Sequence, residues 1–122
     1  MRVAVFGSYD WDSYNDFIRS MTVFIQDVHE LGHDNVIFVH SGKTGAENMV
    51  TEYINKTEKF LRQKDFKVKE EFFRGRAKFA NVEIIESGID YALVFSTQDK
   101  RAVGCKKLLE AYNIPFAVYE SA

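Results

Sequence analysis

The chain has 122 residues, which is enough for one domain built around a single hydrophobic core. A formal net charge of −2 gives no global attraction to nucleic acid, and the single cysteine excludes an intrachain disulfide and a multi-cysteine zinc site. No apolar run reaches the roughly 20 residues of a membrane span, and the apolar part of the N-terminus is too short for a signal peptide. We therefore expect a cytoplasmic protein with no membrane contact.

Hydrophobic periodicity predicts that strands and helices alternate through the first half of the chain. A serine followed three residues later by an acid marks the start of the first helix, and a glycine marks its end. The predicted elements are strand Arg2–Phe6, a helix from Ser13 to Gly32, strand Val36–Val39, a helix from Gly45 to Lys64, and strand Lys67–Phe73. The last of these strands is rich in charge, so we expect it at a sheet edge.

The alternation continues in the second half. A third helix is predicted over Gly75–Ser87, and its apolar stripe is formed by Phe79, Val82 and Ile85, with Ile84 as a further candidate. The remaining elements are strand Tyr91–Phe95, a helix over Lys100–Tyr112 with Val103, Leu108, Leu109 and Ala111 facing inward, and strand Phe116–Tyr119.

This order predicts one α/β domain over residues 1–122, a Rossmann-like three-layer structure with helices on both faces of a five-stranded parallel sheet. Because the chain starts with a buried strand, we expect the strand order 3-2-1-4-5. In such sheets, ligands bind beyond the carboxyl ends of the strands, where the strand order reverses. The turns expected there are Gly7–Trp11, Ser41–Gly45 and Ser96–Gly104.

The second of these turns, in the sequence VIFVHSGKTGAE, is the clearest chemical signal in the chain. A strand leads through two glycines into a helix, and a helix N-terminus offers free N–H groups and a positive dipole to an anion. The triplet GKT resembles the end of a Walker A loop, but Ile37 stands where the first glycine is required, so ATP hydrolysis of that type is not expected. The dinucleotide fingerprint G-x-G-x-x-G is also absent. Together with Gly7-Ser8, the turn predicts a phosphate-bearing small molecule as the ligand.

Four segments together resemble the SLOG superfamily: FGSYDW, VHSGKTGAE, ANVEIIESGIDYALVF, and the late Gly104. This Rossmann-like group contains the lonely-guy cytokinin-activating hydrolases and the DNA-processing protein DprA, and the chain is most similar to its small stand-alone YspA-like branch. The resemblance covers nearly the whole chain and implies binding of nucleotide phosphate and sugar. The residues that carry it are Gly7, Ser8, Trp11, His40, Gly42, Gly45, Ala46, Glu47, Asn81 and Asp90.

Departures from the family pattern bear on charge and on catalysis. Tyr9 and Ala80 stand where the family has arginines, and Lys43, Arg74 or Arg76 are the candidates to replace that charge. In the hydrolase motif P-G-G-x-G-T-x-x-E, Gly104 is kept, whereas Cys105 replaces threonine and Leu108 replaces the glutamate. Glu110 lies two positions too late, roughly 200° around the helix. The resemblance therefore favours a nucleotide-binding or sensor module over a phosphoribohydrolase-like enzyme, which stays as the alternative.

We expect no cofactor and no metal. The predicted ligand-binding residues are Gly7, Ser8, Tyr9, Trp11, Ser41, Gly42, Lys43, Thr44, Gly45, Glu47 and Gly104. Tyr9 and Trp11 either stack on a base or cover the end of the sheet. The spacing of His29 and His33 is better explained by capping of the helix end than by a metal site. Cys105 is better explained as a small buried apolar residue than as a nucleophile.

Two kinds of macromolecular partner are considered. The segment from Lys56 to Lys78 has nine basic and four acidic residues, which favours either a solvated helix and edge strand or a DprA-like face for single-stranded nucleic acid. The first helix carries Tyr14, Phe17 and Phe24 on its apolar stripe. Since a small domain cannot cover every aromatic residue, we expect a homodimer or a higher oligomer.

Overall fold

The computed structural model describes residues 1–75 and 79–120. None of the helices in these two ranges is long and apolar enough to cross a membrane. The elements in chain order are β1 (Arg2–Gly7), α1 (Tyr14–Glu30), β2 (Asn35–His40), α2 (Gly45–Gln63), β3 (Lys67–Phe72), α3 (Ala80–Glu86), β4 (Tyr91–Ser96), α4 (Lys100–Ala111) and β5 (Phe116–Glu120).

The strands form one parallel sheet in the order β3-β2-β1-β4-β5, which confirms the predicted fold class and strand order. β1 lies at the centre, and Ala4 pairs with Val39 on one side and with Ala92 on the other. Every residue of β1 from Val3 onward is buried, as expected of a central strand covered on both faces. The order reverses between β1 and β4, so the predicted ligand cleft lies beyond the ends of these strands.

Side chains alternate along β1 between the two layers of the core. Val3 and Val5 pack in a cluster with residues of α1 and α2, whereas Ala4 and Phe6 pack in a second cluster with residues of α3 and α4. The start of α1 is fixed as predicted, because the Ser13 hydroxyl accepts a hydrogen bond from the backbone N–H of the third helical residue. The three-layer arrangement follows from this period-two alternation.

The third helix is shorter than predicted. α3 begins at Ala80 rather than at Gly75, and residues 76–78 lie outside the described part of the chain. No serine, threonine, aspartate or asparagine is available before Ala80 to cap an earlier start, and no side chain caps the helix that forms. Phe79 is therefore outside the helix and exposed, while Ile84 and Ile85 are the buried residues of the stripe.

The inward face of α4 also differs from the prediction. Asp99 caps the helix, and the buried stripe is Ala102, Cys105 and Leu109 at a spacing of three and four residues. Val103, which was expected to face inward, is exposed because it lies about 100° around the helix from its neighbour at 102. Ala111 is likewise exposed.

The aromatic residues of α1 are covered within the domain. Phe17 and Phe24 are buried, and their rings contact Phe95 and Tyr91 of β4 respectively. The uncovered aromatic stripe on which the expectation of an oligomer rested is thus absent from α1 as described. Self-association stays a prediction, and sedimentation of the purified chain would test it.

Candidate functional site

Two glycines bring the turns after β1 and β2 into backbone contact. A Cβ at Gly45 would overlap the carbonyl oxygen of Trp11, and a Cβ at Gly7 would lie 2.9 Å from the Cβ of Ala46. Both positions therefore require the absence of a side chain. The N-terminus of α2 is held directly against the turn that follows the central strand, at the carboxyl edge of the sheet.

Glu47 organises the turn between β2 and α2. Its carboxylate accepts hydrogen bonds from the Ser41 hydroxyl at 2.6 Å, from the Ser41 backbone N–H at 3.2 Å and from the Thr44 hydroxyl at 2.5 Å. The Thr44 hydroxyl in turn accepts from the backbone N–H of Glu47 and caps α2. Because Glu47 is 0% exposed and both its oxygens are occupied, it holds the turn in shape and is not free to contact a ligand.

Arg101 connects this turn to the other elements around the cleft. Its guanidinium donates to the Glu47 carboxylate and to the Asn81 side-chain oxygen, each at 3.3 Å, and to the backbone oxygen of Gly7 at 3.1 Å. The guanidinium also lies 4.9 Å from the centre of the Tyr9 ring. Sequence reasoning missed Arg101. The signal available in the sequence was a cation in the first turn of the helix that follows β4, one of the two strands between which the strand order reverses.

Asp99 secures the turn after β1 from the opposite side. Its carboxylate accepts from the Ser8 hydroxyl at 2.8 Å, from the Tyr9 backbone N–H at 3.2 Å and from the Ala102 backbone N–H at 2.9 Å. Partial burial acts against ionisation, but these hydrogen bonds and the charge of Arg101 outweigh it and lower the pKa of Asp99 below its ordinary value. An ionised Asp99 thereby ties the turn after β1 to the start of α4.

Ser8 is fully occupied by this network. Its hydroxyl donates to Asp99 and accepts from the backbone N–H of Thr97 at 2.9 Å, and the residue is 0% exposed. The predicted ligand residue Ser8 therefore positions backbone rather than presenting a hydroxyl to solvent.

Lys43 has an unusual environment for a lysine in a turn. Its Nζ is buried, and no hydrogen-bond partner for it is found among residues 1–75 and 79–120. The end of this side chain is therefore not solvated. The residue directly precedes Thr44, the cap of α2, so the backbone of Lys43 lies at the start of the helix. A buried cation without a partner is costly, and an anion at this turn would relieve that cost.

The two aromatic residues of the first turn have different positions. Tyr9 is 65% exposed, whereas Trp11 is 2% exposed and packs edge-on against Phe95 with 5.3 Å between ring centres. The Trp11 indole N–H donates to the backbone oxygen of Ser13 at 3.1 Å. Trp11 thus covers the end of the sheet, and Tyr9 is the aromatic ring that a ligand could reach.

Three residues singled out by the resemblance do not present a side chain to the cleft. Gly104 is inside α4, since the turn after β4 ends at Asp99, and it borders the groove between α3 and α4. Asp90 accepts from the backbone N–H of Arg2 at 2.8 Å, at the amino ends of the strands and opposite the cleft. His40 is buried and its Nε2 pairs with the Glu70 carboxylate at 2.7 Å.

The three candidates for replacing the charge of the missing arginines lie in different places. Arg74 lies over the Phe72 ring, and that ring covers Gly42, where a Cβ would approach it to 2.5 Å. Arg76 lies outside the described residues. Of the three proposed cations, Lys43 is the one that the described structure places in the turn itself, and Arg101 adds a second at its border.

The basic segment is partly neutralised where it is described. Lys56 pairs with Glu52 at 2.9 Å, and Arg62 pairs with Glu58 at 2.7 Å, both one turn apart on α2. Lys78 lies outside the described residues. These pairs favour the interpretation of a solvated helix over that of a nucleic-acid face.

Cys105 is buried, as predicted, and burial raises the pKa of its thiol to about 12. The thiol is therefore protonated at neutral pH and is not an activated nucleophile. Across residues 1–75 and 79–120, no group of three or more histidine, cysteine, aspartate or glutamate side chains is arranged to hold a metal ion.

Comparison of the chain with protein-family models, with curated proteins and with solved structures gave no match.

Proposed function

We propose that the protein binds a nucleotide or a nucleotide-derived phosphorylated small molecule at the carboxyl ends of β1 and β2, as a sensor or binding module. The observation that carries the proposal is the buried, unpartnered Nζ of Lys43, the residue that directly precedes the cap of α2. A phosphate at this turn would supply the missing negative charge and would accept hydrogen bonds from the first N–H groups of the helix.

The turn is prepared for such an anion before it arrives. Glu47 fixes Ser41 and Thr44, and the Thr44 hydroxyl already caps the third helical N–H, so the N–H groups of Gly45 and Ala46 are the ones left for a ligand. Gly42 adopts a φ of +70°, which lets the backbone turn sharply toward the helix. Preorganisation of this kind reduces the entropy that a ligand must lose on binding.

The nucleoside part of the ligand would lie toward Tyr9. The Tyr9 ring is exposed, and the Arg101 guanidinium covers one of its faces. The backbone N–H of Tyr9 donates to the Asp99 carboxylate. An aromatic ring fixed in this way offers a flat surface on which a base can stack, a contact worth about 1–3 kcal/mol per base.

Binding is favoured over catalysis by the state of the acidic and nucleophilic groups. Glu47 is saturated with hydrogen bonds, Ser8 is held by Asp99, and the Cys105 thiol is protonated at neutral pH. A phosphoribohydrolase-like activity needs a carboxylate that can reach the reacting bond. Incubation of the protein with nucleoside monophosphates, followed by chromatography, would reveal released base if this alternative were correct.

Calorimetric titration with a panel of nucleoside monophosphates tests the proposal. We expect Lys43→Ala to weaken binding by about 1–3 kcal/mol, the range for a charge-assisted hydrogen bond. Lys59→Ala is the matched control, since Lys59 is an exposed lysine on α2, the helix that follows the turn. Equal affinities for wild type and Lys43→Ala, or the absence of binding by either, would contradict the proposal.

A further inference from the structure

We propose a second binding site, for a negatively charged ring compound such as an aromatic phosphate, in the groove between α3 and α4. The groove has a volume of about 480 Å³. Its lining comes from these two helices and includes no residue of the turns after β1 and β2. Arg101 is the residue that the groove shares with the border of the turn site.

The charge of the groove has one sign. Lys100, Arg101 and Lys107 contribute to its lining, and no aspartate or glutamate does so within the described part of the chain. Lys100 and Lys107 are exposed, and neither has an ion-pair partner among the described residues. Cations grouped in a concave surface attract an anionic ligand more strongly than isolated surface lysines.

The shape of the groove indicates a flat group between the charges. Lys100, Gly104 and Lys107 follow one another along one face of α4, and the two lysines are separated by about 10 Å along the helix axis. A Cβ at Gly104 would meet no atom within 4 Å, so the missing side chain leaves open space between the lysines. Val82 and Leu108 provide aliphatic contacts beside this space. A ring can occupy the space over Gly104 while its anionic substituent reaches one of the lysines.

The floor of the groove is fixed. The Asn81 side chain donates to the Cys105 sulfur at 3.2 Å and accepts from Arg101, so both ends of its amide are held. The buried thiol is neutral and adds no negative charge at the floor. A ligand would therefore meet a formed surface rather than one that must be rearranged.

The test is a titration of the isotope-labelled full chain followed by NMR. The ligands are phenyl phosphate and adenosine monophosphate, with inorganic phosphate and adenosine as the arms that lack the ring and the charge respectively. We expect the two aromatic phosphates to shift the amide signals of residues 103–108, which lie beyond the part of α4 that contacts the turn site, and each of the other two compounds to do so at least about tenfold more weakly.

Two pairs of variants make the result specific. Gly104→Met fills the open space and should weaken binding at least about tenfold. Val103→Met, on the exposed side of α4, should leave binding unchanged. The melting temperature of each variant should equal or exceed that of the wild type. The double variant Lys100→Gln/Lys107→Gln should lose the shifts, and Lys106→Gln, which does not line the groove, should keep them.

The outcomes separate this site from the turn site. Lys43→Ala should leave the shifts of residues 103–108 unchanged even if it abolishes binding at the turn. Three results would each overturn the groove site: full affinity in Gly104→Met, equal shifts with inorganic phosphate, or shifts confined to residues 42–46. None of these results decides the proposed function, which the Lys43→Ala titration tests.

Discussion

Replacement of Lys43 by methionine should stabilise the ligand-free protein while weakening its anion site. The Nζ of Lys43 is buried and lacks a hydrogen-bond partner in the described structure. Methionine keeps a similar length and an apolar stem but carries no charge, so the cost of the unsatisfied ammonium disappears. Most substitutions destabilise a protein, so an increase in stability here would be diagnostic.

The size of the effect follows from the burial of this group. An unsatisfied buried polar group costs about 1–3 kcal/mol, and a charged one costs more. For a chain of this length, a change of 1 kcal/mol moves the melting temperature by about 4 °C, so we expect an increase of roughly 4–12 °C. Ligand at about 100 times the wild-type dissociation constant should raise the stability of the wild type by about 2.7 kcal/mol, and that of the variant by only about 0.3–1.8 kcal/mol because the variant binds about 1–3 kcal/mol more weakly.

Thermal unfolding by circular dichroism, with and without a nucleoside monophosphate, measures both effects. Lys59→Met serves as the control, because the same chemical change on the exposed face of α2 should alter stability by no more than about 0.5 kcal/mol. A Lys43→Met protein that is less stable than wild type, or one that ligand stabilises as much as it stabilises wild type, would refute the reasoning.

Three further predictions concern the elements that frame the cleft. Gly45→Ala should destabilise the fold by about 1–3 kcal/mol because its Cβ overlaps the Trp11 carbonyl oxygen. Gly104→Ala, whose Cβ would enter open space, should stabilise the fold by about 0.5–1 kcal/mol. Urea titration measures the free energy of unfolding of both variants. The pKa of Asp99 is lowered in the folded state, so its contribution is present above the unfolded value of about 3.9 and is lost as the pH falls through the folded value. Asp99→Asn should therefore lower the melting temperature at neutral pH and reduce its further decline below about pH 4, and a decline as steep as that of wild type would contradict this. Cys105, with its thiol pKa raised to about 12 by burial, should resist a thiol reagent at neutral pH in native buffer and react fully in urea; rapid native labelling would show that the thiol is accessible.

The order of the sheet could be predicted because it depends on local patterns. A buried strand near residue one, strict alternation and short connections leave few parallel topologies, and the caps at Ser13 and Gly32 mark the ends of α1 in the sequence itself. The start of α3 was not predictable in the same way, because no capping side chain marks it.

The composition of the site depends on contacts between residues far apart in the chain, and this limited the prediction. The glycine turn and the acidic Glu47 were found from local sequence, but the sequence did not show that Glu47 is saturated by its neighbours. Arg101 and Asp99 were missed because their partners are more than ninety residues away, at Gly7 and Ser8. The burial of Lys43 is likewise a property of the packed turn and not of the residue.

The links between the first turn of the chain and the start of α4 bear on how the protein is made. The hydrogen bonds from Ser8 to Asp99 and from Arg101 to Gly7 span 91 and 94 residues. During synthesis, the turn after β1 leaves the ribosome long before its partners exist, so the cleft cannot close until translation has passed Arg101. Hydrogen exchange in the finished protein should reflect the same dependence, with the amides of this turn and of the first turn of α4 opening as one cooperative unit.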